Sequence, residues 1–96
     1  MKYIKIIEKV KDIQDNIISP IQGIRDLVKL SYEYHVEKED IFMSIRAIES
    51  ETDHLPIKDT KIKLNKNYIN KIKEEEKLYI SDIAKLCNDI LEKYQK

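Results

Sequence analysis

Apolar residues recur along this chain in steps of three and four, the spacing that places them on one face of an α-helix. The first series is Ile4, Ile7, Val10, Ile13 or Gln14, and Ile17, widened by Ile6 and Ile18. It predicts a helix over about 2–17 that stops before Ser19-Pro20, because the residue before a proline is pushed out of the α region. Ser19-Pro20-Ile21-Gln22 then reads as a new start. Ser19 suits the N-cap, Pro20 the first position, where no donor is needed, and Gln22 the reciprocal side of a capping box. The second stripe runs Ile21, Ile24, Leu27, Val28, then Leu30 or Tyr32 and Tyr34, and should end near His35. Gly23 in its first turn costs about 1 kcal/mol of helix propensity relative to alanine. Its presence suggests a close approach by another backbone.

A third helix is expected to open around Lys38 to Asp40, where acids favour the positive end of the dipole. Its stripe is Ile41, Phe42, Ile45 and Ile48, and it ends in a turn over residues 51–56, within the polar run Ser50-Glu51-Thr52-Asp53-His54-Leu55-Pro56. Residues 57–64 fit either an extended linker or a short helical turn. The last stripe is the longest: Ile69, Ile72, Glu76, Tyr79, Ile83, Leu86, Ile90 and Tyr94, over about 66–94, with Asn65 or Asn67 as cap. Glu76 is its one fault and predicts a projection beyond the core, or a bend, at that level. Four amphipathic helices in one 96-residue domain predict an all-α, up-and-down bundle with a long C-terminal helix.

Composition narrows this further. One glycine and two prolines leave little for tight turns, and 38% charged residues suit a solvated helical shell. The lone Cys87 cannot form an internal disulfide, so no oxidising compartment is required. There is no long apolar run for a membrane span. The first residues read as amphipathic helix rather than a secretory h-region, which makes the cytoplasm the expected location.

Charge is segregated although the total is zero. Residues 31–57 carry seven acidic and two basic side chains, a net charge of −5, whereas residues 58–73 carry six lysines and one acid, a net of +5. Glu37, Glu39, Asp40, Glu49, Glu51 and Asp53, with His54, make an acidic flank that would steer a cationic partner. An alternative assignment for the polar run is structural. Ser50, Thr52 and Asp53 suit helix termination and turn closure, and Pro56 a fixed exit.

Other chemistry has little support. His35, His54 and Cys87 are not paired at metal-ligand spacing, so no metal or other cofactor is expected. Asp53 beside His54 lacks a nucleophile other than Ser50 and any glycine-rich oxyanion turn, and a small bundle offers little volume for a small-molecule substrate. The chain is therefore read as non-catalytic. The lysines of 58–73 around Tyr68 leave a small RNA-binding protein as one alternative. A homodimer or regulatory module built on the last helix, with Tyr68, Tyr79 and Tyr94 as contact residues, is another.

Gly23 and Leu27, Asp40 and Phe42, and the run Ile48, Ser50, Glu51, Thr52, Asp53, Leu55, Pro56 resemble a family of short bacterial proteins with an Ile-x-Ser-Glu-Thr-Asp-x-Leu-Pro signature. The match covers roughly residues 18–80. It departs after Pro56, with Lys58 and Leu64 where the family carries glycine and tryptophan. Proteins of this kind resemble immunity proteins encoded beside polymorphic or contact-dependent growth-inhibition toxins. The resemblance implies a non-catalytic inhibitor of a cognate toxin domain, commonly a nuclease, whose basic cleft the acidic face would block.

Overall fold

A computed structural model of the protein describes residues 2–52 and 66–95, and only the backbone at 66–69, 71 and 72. Among these residues four α-helices follow one another: α1 (Ile4–Gln14), α2 (Pro20–Glu33), α3 (Asp40–Glu51) and α4 (Lys66–Tyr94). No strand occurs among the described residues. The expected all-α bundle with a long last helix is the observed one. The stretch 57–64 and the caps offered for the last helix, Asn65 and Asn67, lie outside what is described, except that Asn67 falls within α4.

Each boundary has a local cause. At the start of α2, Ser19 Oγ accepts from the Gln22 backbone N–H at 3.2 Å, and Pro20 occupies the first turn. The capping box is only half made. Gln22 Nε2 donates instead to Asp26 Oδ1, one turn on, at 2.9 Å. The helix α1 stops earlier than its stripe predicts. Asn16 takes a left-handed φ of 60°, and the N–H groups of Asn16 and Ile17 return to the carbonyls of Ile13 (3.2 Å) and Asp12 (2.9 Å). The end of α2 repeats this device. His35 has φ 60°, with His35 N–H on Tyr32 O (3.2 Å) and Val36 N–H on Ser31 O (2.9 Å). Both are Schellman closures, which satisfy carbonyls left over at a helix end. Because α1 ends at Gln14, Ile17 falls past it and is 66% exposed, not part of the stripe.

The helices alternate up and down. At one end, Tyr3 stacks edge-on against Tyr94 (4.7 Å between centroids) and tilted against Tyr34 (5.8 Å), and Phe42 meets Tyr94 at 5.8 Å. The start of α1, the end of α2, the start of α3 and the end of α4 therefore share one aromatic cluster. Helix α2 packs against α1 and α3, and α4 touches all three others, while α1 and α3 do not meet among the described residues. The cross-section is thus a rhombus with α2 and α4 on its short diagonal.

One apolar core runs through all four helices: Ile6, Ile7, Val10, Ile13, Ile21, Ile24, Leu27, Phe42, Ile45, Ile48, Ile83, Cys87, Ile90 and Tyr94, with Val36 from the α2–α3 link. Burial of each large side chain contributes roughly 1.5–3 kcal/mol. The exposed ion pairs Lys5–Glu33 and Lys93–Glu39 are of a kind worth about 0–1 kcal/mol each, so apolar burial dominates. Two core positions are polar. Ser31 gives its hydroxyl to Val28 O at 2.6 Å, and Thr52 gives its own to Ile48 O at 2.7 Å. Cys87 is a buried core residue, and burial pushes its thiol up to about 11, so it is protonated.

Gly23 is also explained by a close approach, though to a side chain rather than a backbone. A Cβ there would overlap Ile13 Cγ1 and Cδ1 and come within 3.3 Å of Ile18 Cδ1. The absent side chain is what lets α1 cross the first turn of α2.

The helix α4 is continuous through Glu74-Glu75-Glu76. Its 29 residues span about 43 Å at 1.5 Å per residue, twice the length of α2. Glu76 is half-buried; burial raises its pKa, and the backbone N–H of Ile21 at the start of α2, with Lys73, opposes the rise. The turns of α4 that precede Glu76 therefore run past the N-terminal end of α2, the projection that the fault in the stripe predicts.

Candidate functional site

The antiparallel pair α3 and α4 leaves an open trough between two helix faces. Its α3 wall is Asp40, Ile41, Ser44, Ala47, Ile48 and Glu51. Its α4 wall is Tyr79, Asp82, Lys85, Leu86 and Asp89. The volume is about 490 Å³. Both walls follow helical spacing. Residues 41, 44, 48 and 51 stand on one face of α3, and residues 79, 82, 86 and 89 on one face of α4. The apolar floor comes from Ile41, Ala47, Ile48, Leu86 and the Tyr79 ring. Among the described residues, four carboxylates and a single ammonium, Lys85, make the rim. Among the described residues no salt bridge engages Asp40, Asp82 or Asp89. The Glu51 carboxylate beside the Tyr79 phenol, and then burial, hold that phenol above its ordinary range.

The acidic flank is thereby divided. Asp40 and Glu51 face the trough from opposite ends of α3. Glu39 faces α4 instead, where its Oε2 accepts from Lys93 Nζ at 2.7 Å; that hydrogen bond raises the Lys93 pKa. Its carboxylate also reinforces the effect of burial in raising the Tyr94 phenol. Glu37 is half-buried, and its Oε2 is wholly covered without a hydrogen-bond partner. Glu49 is half-buried outside the trough. Asp53 and His54 lie outside the described residues, as does Pro56.

The structural assignments divide as well. Thr52 is the C-cap of α3, fully buried, and its carbonyl accepts from Arg25 Nη2 of α2 at 3.0 Å. Ser19 caps α2. Ser50 is a correction: it stands in the last turn of α3 with an exposed side chain, so it belongs to the helix and not to the turn after it. The sequence places the turn over residues 51–56. The helix instead continues through Glu51, because Thr52 can close it from a buried position.

Asp82 and Asp89 stand outside the continuous acidic run and are not legible from it. Their seven-residue separation on one helix face was the available signal. Arg46, one of the two bases in the acidic stretch, stacks 5.6 Å from the Tyr32 ring on the α2 side and does not line the trough. Of the lysines considered for RNA, 58, 61 and 63 lie outside the described residues, and Lys73 is exposed on α4. No cluster of three or more histidine, cysteine or carboxylate side chains fit for a metal ion occurs among the described residues. No described helix is long and apolar enough to cross a membrane.

Compared with protein-family models, curated proteins and solved structures, the chain matches none. The trough itself is therefore the guide to function.

Proposed function

We propose that this protein is a non-catalytic binding protein that captures a cationic protein partner on its α3–α4 face, in the role of an immunity protein for a cognate toxin domain. One observation carries the reading. Asp40, Glu51, Asp82 and Asp89, drawn from two helices distant in sequence, converge on one apolar trough with a single opposing lysine among the described residues. Unbalanced carboxylates around apolar surface speed the encounter with a basic partner and select against acidic ones. The toxin-directed role itself comes from the resemblance around Ser50-Glu51-Thr52. A nuclease toxin, which must carry basic surface to hold a polyanion, is the partner class that fits best.

Co-expression with the polypeptide encoded immediately upstream tests this. Wild-type protein should co-purify with it stoichiometrically and relieve its toxicity. The double variant Asp40→Asn, Asp82→Lys should do neither while folding normally. Asparagine at position 40 keeps a residue that tolerates a helix start, and position 82 is exposed, where substitutions usually stay within about 0.5 kcal/mol. Equal capture and rescue by the variant would remove the acidic face from the account.

A further inference from the structure

The acids surround a depression and not a protrusion. A phosphate mimic that enters a nuclease cleft must project, whereas this face receives. We infer that the occupant of the α3–α4 trough is a cationic amphipathic helix of the partner protein, with an apolar stripe between basic residues at its two ends; this rests on the binding reading above.

Four features of the trough define that occupant. The first is length. Asp40 to Glu51 covers about 17 Å of helix axis and Tyr79 to Asp89 about 15 Å, so the walls embrace roughly three turns of a guest helix. The second is the distribution of chemistry along it. Because α3 and α4 are antiparallel, Asp40 lies at the same end as Asp89, and Glu51 at the same end as Tyr79, with Asp82 one turn on. Apolar surface from Ile41, Ile48 and Leu86 lies between these ends. A guest with lysine or arginine near each end and apolar residues at i, i+3 or i+4, and i+7 between them meets all of these at once. The third is the small residues Ser44 and Ala47, both exposed, which allow a third helix axis to come close where a larger side chain would hold it off.

The fourth is the backbone of the walls. An extended peptide docks by adding to an unpaired sheet edge. Here both walls are helices, whose main-chain donors and acceptors are paired along their length, and no strand exists among the described residues. A strand would have to give up its own backbone hydrogen bonds to water without replacement. A helix brings its bonds with it. A small molecule is also a poor fit, since an open trough cannot enclose most of a ligand's surface.

The test uses the intact protein and a synthetic peptide of about 14 residues, enough for the roughly three turns the walls span. It contains only leucine and lysine, with leucines at helical spacing. One control peptide has the same composition in strict alternation, and a second is oligolysine. Binding is followed by backbone amide shifts and by fluorescence anisotropy at physiological salt. The helical-pattern peptide should move the amides of α3 and α4 that flank the trough and gain helicity on binding. It should bind about tenfold or more weakly to Ala47→Arg, which fills and charges the floor. It should bind unchanged to Ser50→Arg, the same charge added to α3 outside the trough. Equal binding of oligolysine, or of the alternating peptide, would overturn the helix while leaving an acidic binding face. Ala47→Arg binding as well as wild type would overturn the trough itself. A dimer on sizing that Ala47→Arg dissolves would assign the trough to a second copy and overturn the partner helix. Failure of the co-expression experiment alongside positive peptide results would remove the toxin partner and leave the helix-binding trough in place.

Discussion

Glu76 shows how a single side chain can contradict its own stripe and still be required. It occupies a core-facing position of α4, and burial raises its pKa, opposed by the Ile21 N–H and by Lys73. A carboxyl whose folded pKa is raised favours the native state most when protonated. Its contribution is present at and below the ordinary carboxylate range and is lost as pH rises through the raised value. Glu76→Gln keeps an oxygen for Ile21 and cannot ionise. It should hold its melting temperature at pH 7 and show a flatter profile from pH 4 upward than wild type. Glu76→Ala removes the carboxylate from beside the Ile21 N–H at the start of α2 and should lose about 1 kcal/mol, the scale of a lost helix cap. Thermal melts across that range read both. Gly23 is the complementary case, where absence is the function. Alanine there gains about 1 kcal/mol of helix propensity and incurs overpacking against Ile13 of about 1–3 kcal/mol, so Gly23→Ala should destabilise. In an Ile13→Ala background the same change should stabilise, a reversal of sign that urea denaturation of the four proteins measures.

At the scale of elements, the stripes were legible because burial and helical period coincide. Ile21, Ile24, Leu27, Phe42, Ile45, Ile48, Ile83 and Ile90 all face the core that their spacing predicts. Ser19-Pro20 was legible because a cap and a proline act within one turn. The other helix ends were not. Asn16 and His35 hold the left-handed position that glycine usually fills, and neither residue announces it in a chain whose one glycine lies elsewhere. Gln22 could satisfy its side chain on Asp26 as well as on the cap, and a sequence does not rank the two. Ser31 and Thr52 looked polar and are buried, because each returns its hydroxyl to a carbonyl of its own helix. The cost of the non-glycine closures is measurable. His35→Gly removes the clash of a side chain with a left-handed backbone and should add about 0.5–1 kcal/mol, seen as a higher denaturant midpoint with unchanged slope. Loss of stability would mean that the imidazole makes a contact worth more than the strain.

For the whole molecule, the up-and-down order turns a charge pattern along the chain into a pattern in space, and the two differ. The run from Glu33 to Asp53 reads as one acidic flank. Folding divides it: Glu39 is neutralised by Lys93, Glu37 is half-covered, and Asp40 and Glu51 are joined by Asp82 and Asp89 from the far end of the chain. No local pattern could have joined those four, since the contact depends on α3 and α4 lying antiparallel after a connection that the periodicity left undecided. The candidate site was therefore half legible in sequence and completed only by topology.

The most direct measurement is the affinity of the captured partner for matched charge variants over a range of salt. Asp40→Asn with Asp82→Lys alters the trough. Glu8→Lys alters an exposed position on α1, the helix that α3 does not touch. The trough variant should weaken binding by about tenfold or more and flatten its salt dependence, while Glu8→Lys changes neither. Equal affinities for both variants, or a larger loss with Glu8→Lys, would contradict the α3–α4 face as the binding surface.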